Sequence, residues 1–292
     1  MPATADITRA FERLRDPFRD PLPYAASRAE EIKTGYLLFT ETAKFLSPMV
    51  AGQLSCSNCH LNAGQRLHGL PLVGAALAYP ERSARAGRAL SLEERVVGCL
   101  LRSADAANGA APPGTSAHEN GGAATFPSPR SLEVRALAAY ITWLSEGIAA
   151  TPWRGRWPIA AQARIPVEQL DPVEGGALYA KKCQACHGAD GQGVHLGRLF
   201  PGPLWGDRSW NDGAGFARVY TLAQFLRGAM PYSSPGALRD DEAQHIAAFI
   251  DSKPRPVFGE KRLDYPGIRP PEDALYYDGA PLPRGAAPRV ER

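Results

Sequence analysis

Six stretches place apolar residues at helical spacing, and Gly- and Pro-rich runs separate them. From Ser27 through Leu46 the positions Ile32, Tyr36, Phe39 and Ala43 fall three or four apart and the pattern stops before Pro48, which predicts one helix. Ser91-Leu92-Glu93-Glu94 reads as a capping box, so a second helix starts there and carries Val96, Val97, Cys99, Leu100 and Leu101. Further helices are predicted over Leu132 to Leu144, Gly175 to Lys182, Phe216 to Arg227 and Asp240 to Ser252. Ala138-Ala139-Tyr140-Ile141 is echoed by Ala247-Ala248-Phe249-Ile250, a weak internal repeat in which each half closes on the same kind of packing helix. The intervening runs set the expected boundaries. Residues 1–27 form an N-terminal arm, 28–150 a first domain, 151–171 a Pro-rich linker, 172–254 a second domain and 255–292 an extended tail on the surface. Within the first domain, residues 104–130 are rich in Ala, Gly, Pro and Ser and read as a long surface loop.

Each half carries one C-x-x-C-H site: Cys56-Ser57-Asn58-Cys59-His60 and Cys183-Gln184-Ala185-Cys186-His187. That spacing lets two thiols add to the vinyl groups of one haem while the adjacent histidine reaches the iron. A four-cysteine zinc site would need no histidine in step with each pair. The expected fold is therefore mainly α, with two cytochrome c-type domains that each hold one covalent haem c through Cys56, Cys59 and His60 or through Cys183, Cys186 and His187.

Composition narrows the class. The 292 residues are 44% hydrophobic and 22% charged, as in a globular protein with room for two cores. A net charge of +3 is too mild to argue for nucleic acid, yet it leaves room for a local basic pocket holding a small anion. No run approaches the length of a membrane span. Haem attachment of this type takes place outside the bacterial cytoplasm, so an export signal is expected. Met1 to Tyr24 is charged and proline-containing without an apolar h-region, and the chain is read as a periplasmic protein whose signal is absent from it.

The axial ligands decide what each iron does. Met230-Pro231 precedes the last helix of the second half, where a class I cytochrome c places its distal methionine. The first half has no methionine between its haem motif and its closing helix, which leaves His68, Cys99 and His118 as candidates. Cys99 is the odd one of five cysteines. A thiolate there would stabilise ferric iron. Arg82, Arg85, Arg95 and Arg102 surround it in sequence, and steps of four and three put Arg95, Cys99 and Arg102 on one helical face, a place for a small oxyanion.

Gln53 to Gly64, Tyr79-Pro80-Glu81-Arg82 with Arg85, Arg95-Val96-Val97-Gly98-Cys99 with Arg102-Ser103, and Ala139 to Leu144 resemble the first domain of the periplasmic dihaem thiosulfate dehydrogenases. Tyr179 to Gly193, Pro203-Leu204-Trp205-Gly206, Asn211 to Gly215 and Met230-Pro231 are similar to the second domain of that family. The resemblance implies oxidative joining of two thiosulfates to tetrathionate, reversible in some members, with two electrons passed to a cytochrome c or similar acceptor. It implies His60 and Cys99 as ligands of a catalytic haem, and His187 and Met230 as ligands of an electron-exit haem. It also implies that Arg85, Arg95 and Ser103 line the substrate pocket. Two departures stand out: Ala229 precedes Met230 where relatives can carry Lys or Asn, and the segment 104–129 is longer. The competing readings are a plain dihaem electron carrier and a His/Cys-haem component of a thiosulfate-oxidising multienzyme system.

Overall fold

The structure, a computed structural model, describes residues 14–47, 49–106, 127–148, 163–197 and 199–285. His118, most of the 104–130 loop and most of the 151–171 linker lie outside the described residues. The chain divides into two compact units. The first takes Met1–Ala51, Ser55–Ser83 and Arg88–Gly155; the second takes Gly52–Leu54, Ala84–Gly87 and Arg156–Arg292. No described helix is long and apolar enough to cross a membrane.

In the first unit, helix α1 (Ala26–Thr40) is followed by a short α2 (Thr42–Phe45). The single helix expected from Ser27 to Leu46 is thus two, broken at Glu41, where φ is −133° and ψ 46°. The break seats Thr42: its fully buried hydroxyl donates to Leu38 O at 2.7 Å and accepts the Cys56 N–H at 3.1 Å. It thereby ties the helix to the haem motif on the short α3 (Cys56–Cys59). Strands β1 (Glu81–Ser83) and β2 (Arg88–Leu90) form an antiparallel hairpin that no alternation in the sequence announces, with Glu81 opposite Leu90. Helices α4 (Leu92–Ser103) and α5 (Leu132–Leu144) complete the unit. The capping box at Ser91 forms as expected: Ser91 Oγ accepts from Glu94 N at 3.2 Å, and Ser91 N donates to Glu94 Oε2 at 2.8 Å.

The core of this unit is the crossing of α1 with α5. A Cβ on Gly35 would lie 1.9 Å from Ala136 O, so only glycine lets the helices approach this closely. Fully buried Tyr140 packs its ring 5.4 Å from Phe39, and its hydroxyl donates to Ala63 O at 2.7 Å in the turn after the haem motif. The closing helix thus packs the core and pins the cofactor loop at once.

The second unit repeats this arrangement with α6 (Pro172–Lys182), the short α7 (Gln184–His187), α8 (Val219–Ala229) and α9 (Asp240–Asp251). Asp171 caps α6, accepting from Val173 N at 2.8 Å. At the α6–α9 crossing a Cβ on Gly175 would lie 2.0 Å from His245 O, the counterpart of Gly35. Tyr179 donates to Gly188 O at 2.7 Å, again fastening the turn behind the haem motif.

The tail departs from expectation. It is extended, but it does not merely lie on the surface: Phe258, Tyr265, Asp273, Ala274 and Leu275 are buried. Asp273 accepts Arg218 Nη2 at 2.8 Å and the Tyr220 N–H at 3.1 Å, so a tail carboxylate caps α8 from outside its own segment. That anchor breaks the helix expected from Phe216 at Arg218, leaving a 3-10 turn over Gly215–Ala217 before α8. Arg255 and Asp251, both with wholly inaccessible side chains, meet at 3.3 Å, and the guanidinium lies over the rings of Trp210 and Tyr276.

Candidate active site

No disulfide joins any of the five cysteines. Among the described residues no three His, Cys, Asp or Glu side chains gather as a cage for a bare metal ion. Cys56 and Cys59 open and close α3, and His60 follows as its C-cap. His60 Nδ1 sits 2.6 Å from Leu70 O, which fixes the ring and directs Nε2 away from the backbone. Burial, reinforced by the positive charge of Arg95, pushes the imidazole down to about 4, so it is neutral at pH 7 and in the form that ligates. Burial likewise pushes Cys56 up to about 11 and Cys59 up to about 12. Cys56, Cys59 and His60 are all half-buried.

Cys99 lies on α4 in the same neighbourhood: its sulfur acts electrostatically on Cys56, Cys59, Tyr79 and Arg95. In its thiolate form it raises the Arg95 guanidinium above its already high range, outweighing the burial that opposes it. Arg95 also hydrogen-bonds Tyr79. Arg102 folds back along the helix, with Nη1 3.6 Å from the point where a Cβ on Gly98 would stand. Ser103, the last residue of α4, is half-buried. Of the other candidates for the sixth ligand, His68 is exposed with φ at 63°.

Arg85 lies at the tip of the β1–β2 hairpin. The hairpin tip Ala84–Gly87 groups with the second unit, where Arg85 Nη1 donates to Gly213 O and its guanidinium lies over the Tyr265 ring, 3.9 Å from Asp264. The sequence placed it beside Arg82 and Arg95; the fold gives it a protein carbonyl and a carboxylate as partners.

In the second unit Cys183 is the C-cap of α6, and Cys186 and His187 lie on α7. Burial pushes Cys183 up to about 11 and His187 down to about 4. His187 Nδ1 is buried with no hydrogen-bond partner among the described residues. Met230 is the half-buried C-cap of α8, its N–H donating to Leu226 O at 3.0 Å. The donor sets fit haem c: paired free thiols at attachment spacing, a neutral imidazole beside each pair, and in the first unit a third sulfur close to both thiols.

Comparison with known proteins agrees with this chemistry. A family profile described as cytochrome c oxidase, cbb3-type, subunit III matches residues 171–250. The thiosulfate dehydrogenase of Stutzerimonas stutzeri is 36% identical over 236 residues, covering 80% of this chain and 70% of the relative. That of Allochromatium vinosum is 36% identical over 246 residues, covering 80% of this chain and 82% of the relative. A solved thiosulfate dehydrogenase (TsdBA) from Marichromatium purpuratum superimposes with a TM-score of 0.69 at 34% identity over 85% of this chain, which spans about half (51%) of that longer chain. The fold is thus mainly α with two cytochrome c-type domains. With relatives this close along most of its length, the chain belongs to the thiosulfate dehydrogenase family.

Proposed function

We propose that this protein is a periplasmic dihaem oxidoreductase that couples two thiosulfates into one tetrathionate and passes the two released electrons to a c-type cytochrome or similar acceptor. The reading holds one haem on Cys56, Cys59 and His60, with Cys99 as the sixth ligand, and a second on Cys183, Cys186 and His187, with Met230. When bound, haem c supplies the one-electron acceptor chemistry that the coupling needs.

The observation that carries the reading is Cys99 set beside both attachment thiols of the first unit with Arg95 one turn away. An electron carrier needs no cation there. An enzyme joining two dianions does: at about 4 Å their repulsion is roughly four times the unit-charge value, about 4 kcal/mol even at the dielectric of water. A fixed guanidinium offsets that repulsion where the sulfurs must meet. Arg102 and Ser103 continue the same helix and supply further donors. Arg85 enters the reading from the resemblance, with its guanidinium steadied by Gly213 and Asp264.

The test is thiosulfate-dependent reduction of ferricyanide by the haem-loaded protein, with tetrathionate assayed in parallel. Tetrathionate at half the molar amount of thiosulfate consumed establishes the coupling. Absence of reduction with both haems attached returns the chain to the electron-carrier reading.

A further inference from the structure

The C-terminal tail clasps the tip of the β1–β2 hairpin, and both belong to the second unit. Tyr265 N donates to Arg85 O at 2.7 Å, and a Cβ on Gly87 would lie 2.6 Å from Pro266 Cγ. The same tail surrounds the Arg85 side chain. Its guanidinium lies over the buried Tyr265 ring, 5.7 Å from the centroid, and its Nε is 3.9 Å from Asp264 Oδ2. The Tyr277 hydroxyl donates to that same Oδ2, and its ring meets Tyr265 edge-on at 5.5 Å. Gly213 O, which accepts from Arg85 Nη1, is backed by the tail as well: a Cβ on Gly213 would lie 2.7 Å from Phe258 Cδ1. Tyr265 holds φ at 58°, a left-handed value that an aromatic residue keeps only where its surroundings impose it.

This packing holds the guanidinium without consuming it. The 3.9 Å contact with Asp264 is longer than a hydrogen bond, and Gly213 O takes one of the five N–H donors. A long side chain that binds an anion gives up rotamer freedom, and a clasp that has already fixed it removes that cost from binding. We propose that Asp264, Tyr265 and Tyr277 are positioning residues for Arg85: the tail holds the guanidinium so that its remaining donors bind oxygens of the substrate oxyanion. This deepens the thiosulfate reading and rests on it for Arg85 as a substrate contact and for the identity of the anion. Because the Asp264 carboxylate also opposes an anion's charge, its part is orientation, and Tyr277 draws on that charge by donating to Oδ2.

The experiment compares wild type, Arg85→Ala, Tyr277→Phe and the double variant. Thiosulfate binding is measured by calorimetry on the fully reduced, haem-loaded proteins, where no electrons can be taken up; tetrathionate formation is followed separately. Tyr277→Phe keeps the ring and removes only the bond to Asp264. It is expected to weaken binding about threefold, and Arg85→Ala about tenfold or more, with haem content and absorption spectrum unchanged. The double variant should bind no worse than Arg85→Ala alone, because Tyr277 acts through Arg85. Unchanged binding in Tyr277→Phe, additive losses in the double variant, or no binding by wild type overturns the proposal. Wild type that forms tetrathionate while Arg85→Ala binds equally well would sink this assignment and leave the enzyme reading intact. Non-additive, Arg85-dependent binding by a wild type that forms no tetrathionate would support the clasp and remove the coupling reaction.

Discussion

Arg95 precedes Cys99 by one turn of α4, and the sulfur is the largest influence on the guanidinium's protonation. Residues four apart share a helix face, so the guanidinium and the Cys99 sulfur are held together by backbone geometry rather than by a mobile loop. Cys99→Ala should therefore leave both haems attached, because Cys56 and Cys59 are untouched, yet lower turnover by about a hundredfold or more, the scale on which groups acting at the reacting atoms are felt. Haem content by pyridine haemochrome and initial rates with ferricyanide check this. Undiminished turnover would remove Cys99 from the mechanism.

The second unit makes a different demand. Met230 is fixed by the end of α8, next to fully buried Ala229, and the nearby Arg227 guanidinium is taken up by Asp240 and Gly236 O. Met230→Ala is expected to change the absorption spectrum and reduction potential of one haem while leaving the KM for thiosulfate within about twofold, because the ligand of an exit centre sets a potential rather than an anion site. A selective rise in KM with an unaltered spectrum would count against Met230 as a ligand.

The helix crossing gives a sharp contrast between two glycines. At Gly35 an added Cβ would meet Ala136 O at 1.9 Å, a backbone atom that moves only if α1 and α5 separate. Gly35→Ala should cost about 3 kcal/mol or more. At Gly147 nothing lies within 4 Å, and only its φ of +76° resists a side chain, so Gly147→Ala should cost about 1–2 kcal/mol. Urea titrations followed by tryptophan fluorescence would rank the two, and equal losses would contradict the close approach.

Helical periodicity was enough to locate α4, α5, α6 and α9, because each buries one face and its apolar spacing records that face. What the sequence hid was set by partners far along the chain. Nothing near Glu41 announces a break, since the cause is Thr42 bonding Cys56. The proline-rich tail looks like surface chain until Asp273 is seen capping α8. The attachment residues were legible because their chemistry requires fixed local spacing. The partners of Arg85 were not legible: Gly213 and Asp264 are distant in sequence, and a run of arginines around a cysteine announces neither.

The cap of α4 makes an acid-stability prediction with a definite sign. The Ser91 N–H donates to Glu94 Oε2 at 2.8 Å, and Arg88 Nη1 lies 2.8 Å from Glu94 Oε1. The backbone bond, aided by Arg88 and opposed by burial, holds the Glu94 carboxyl below its ordinary value of 4.5. A carboxyl with a folded value below its unfolded one contributes stability that is fully present above the unfolded value and is lost as pH falls through the folded one. The contribution is thus intact at pH 6 and begins to be lost below about pH 4.5, as the first turn of the helix carrying Arg95 and Cys99 loses its ionised cap. Glu94→Gln keeps an acceptor for Ser91 but cannot titrate. It should be less stable than wild type at pH 6, and the gap should narrow as pH falls below 4.5, with urea midpoints across that range providing the measurement. A gap that stays constant across that range would show that the Glu94 charge does not support the cap.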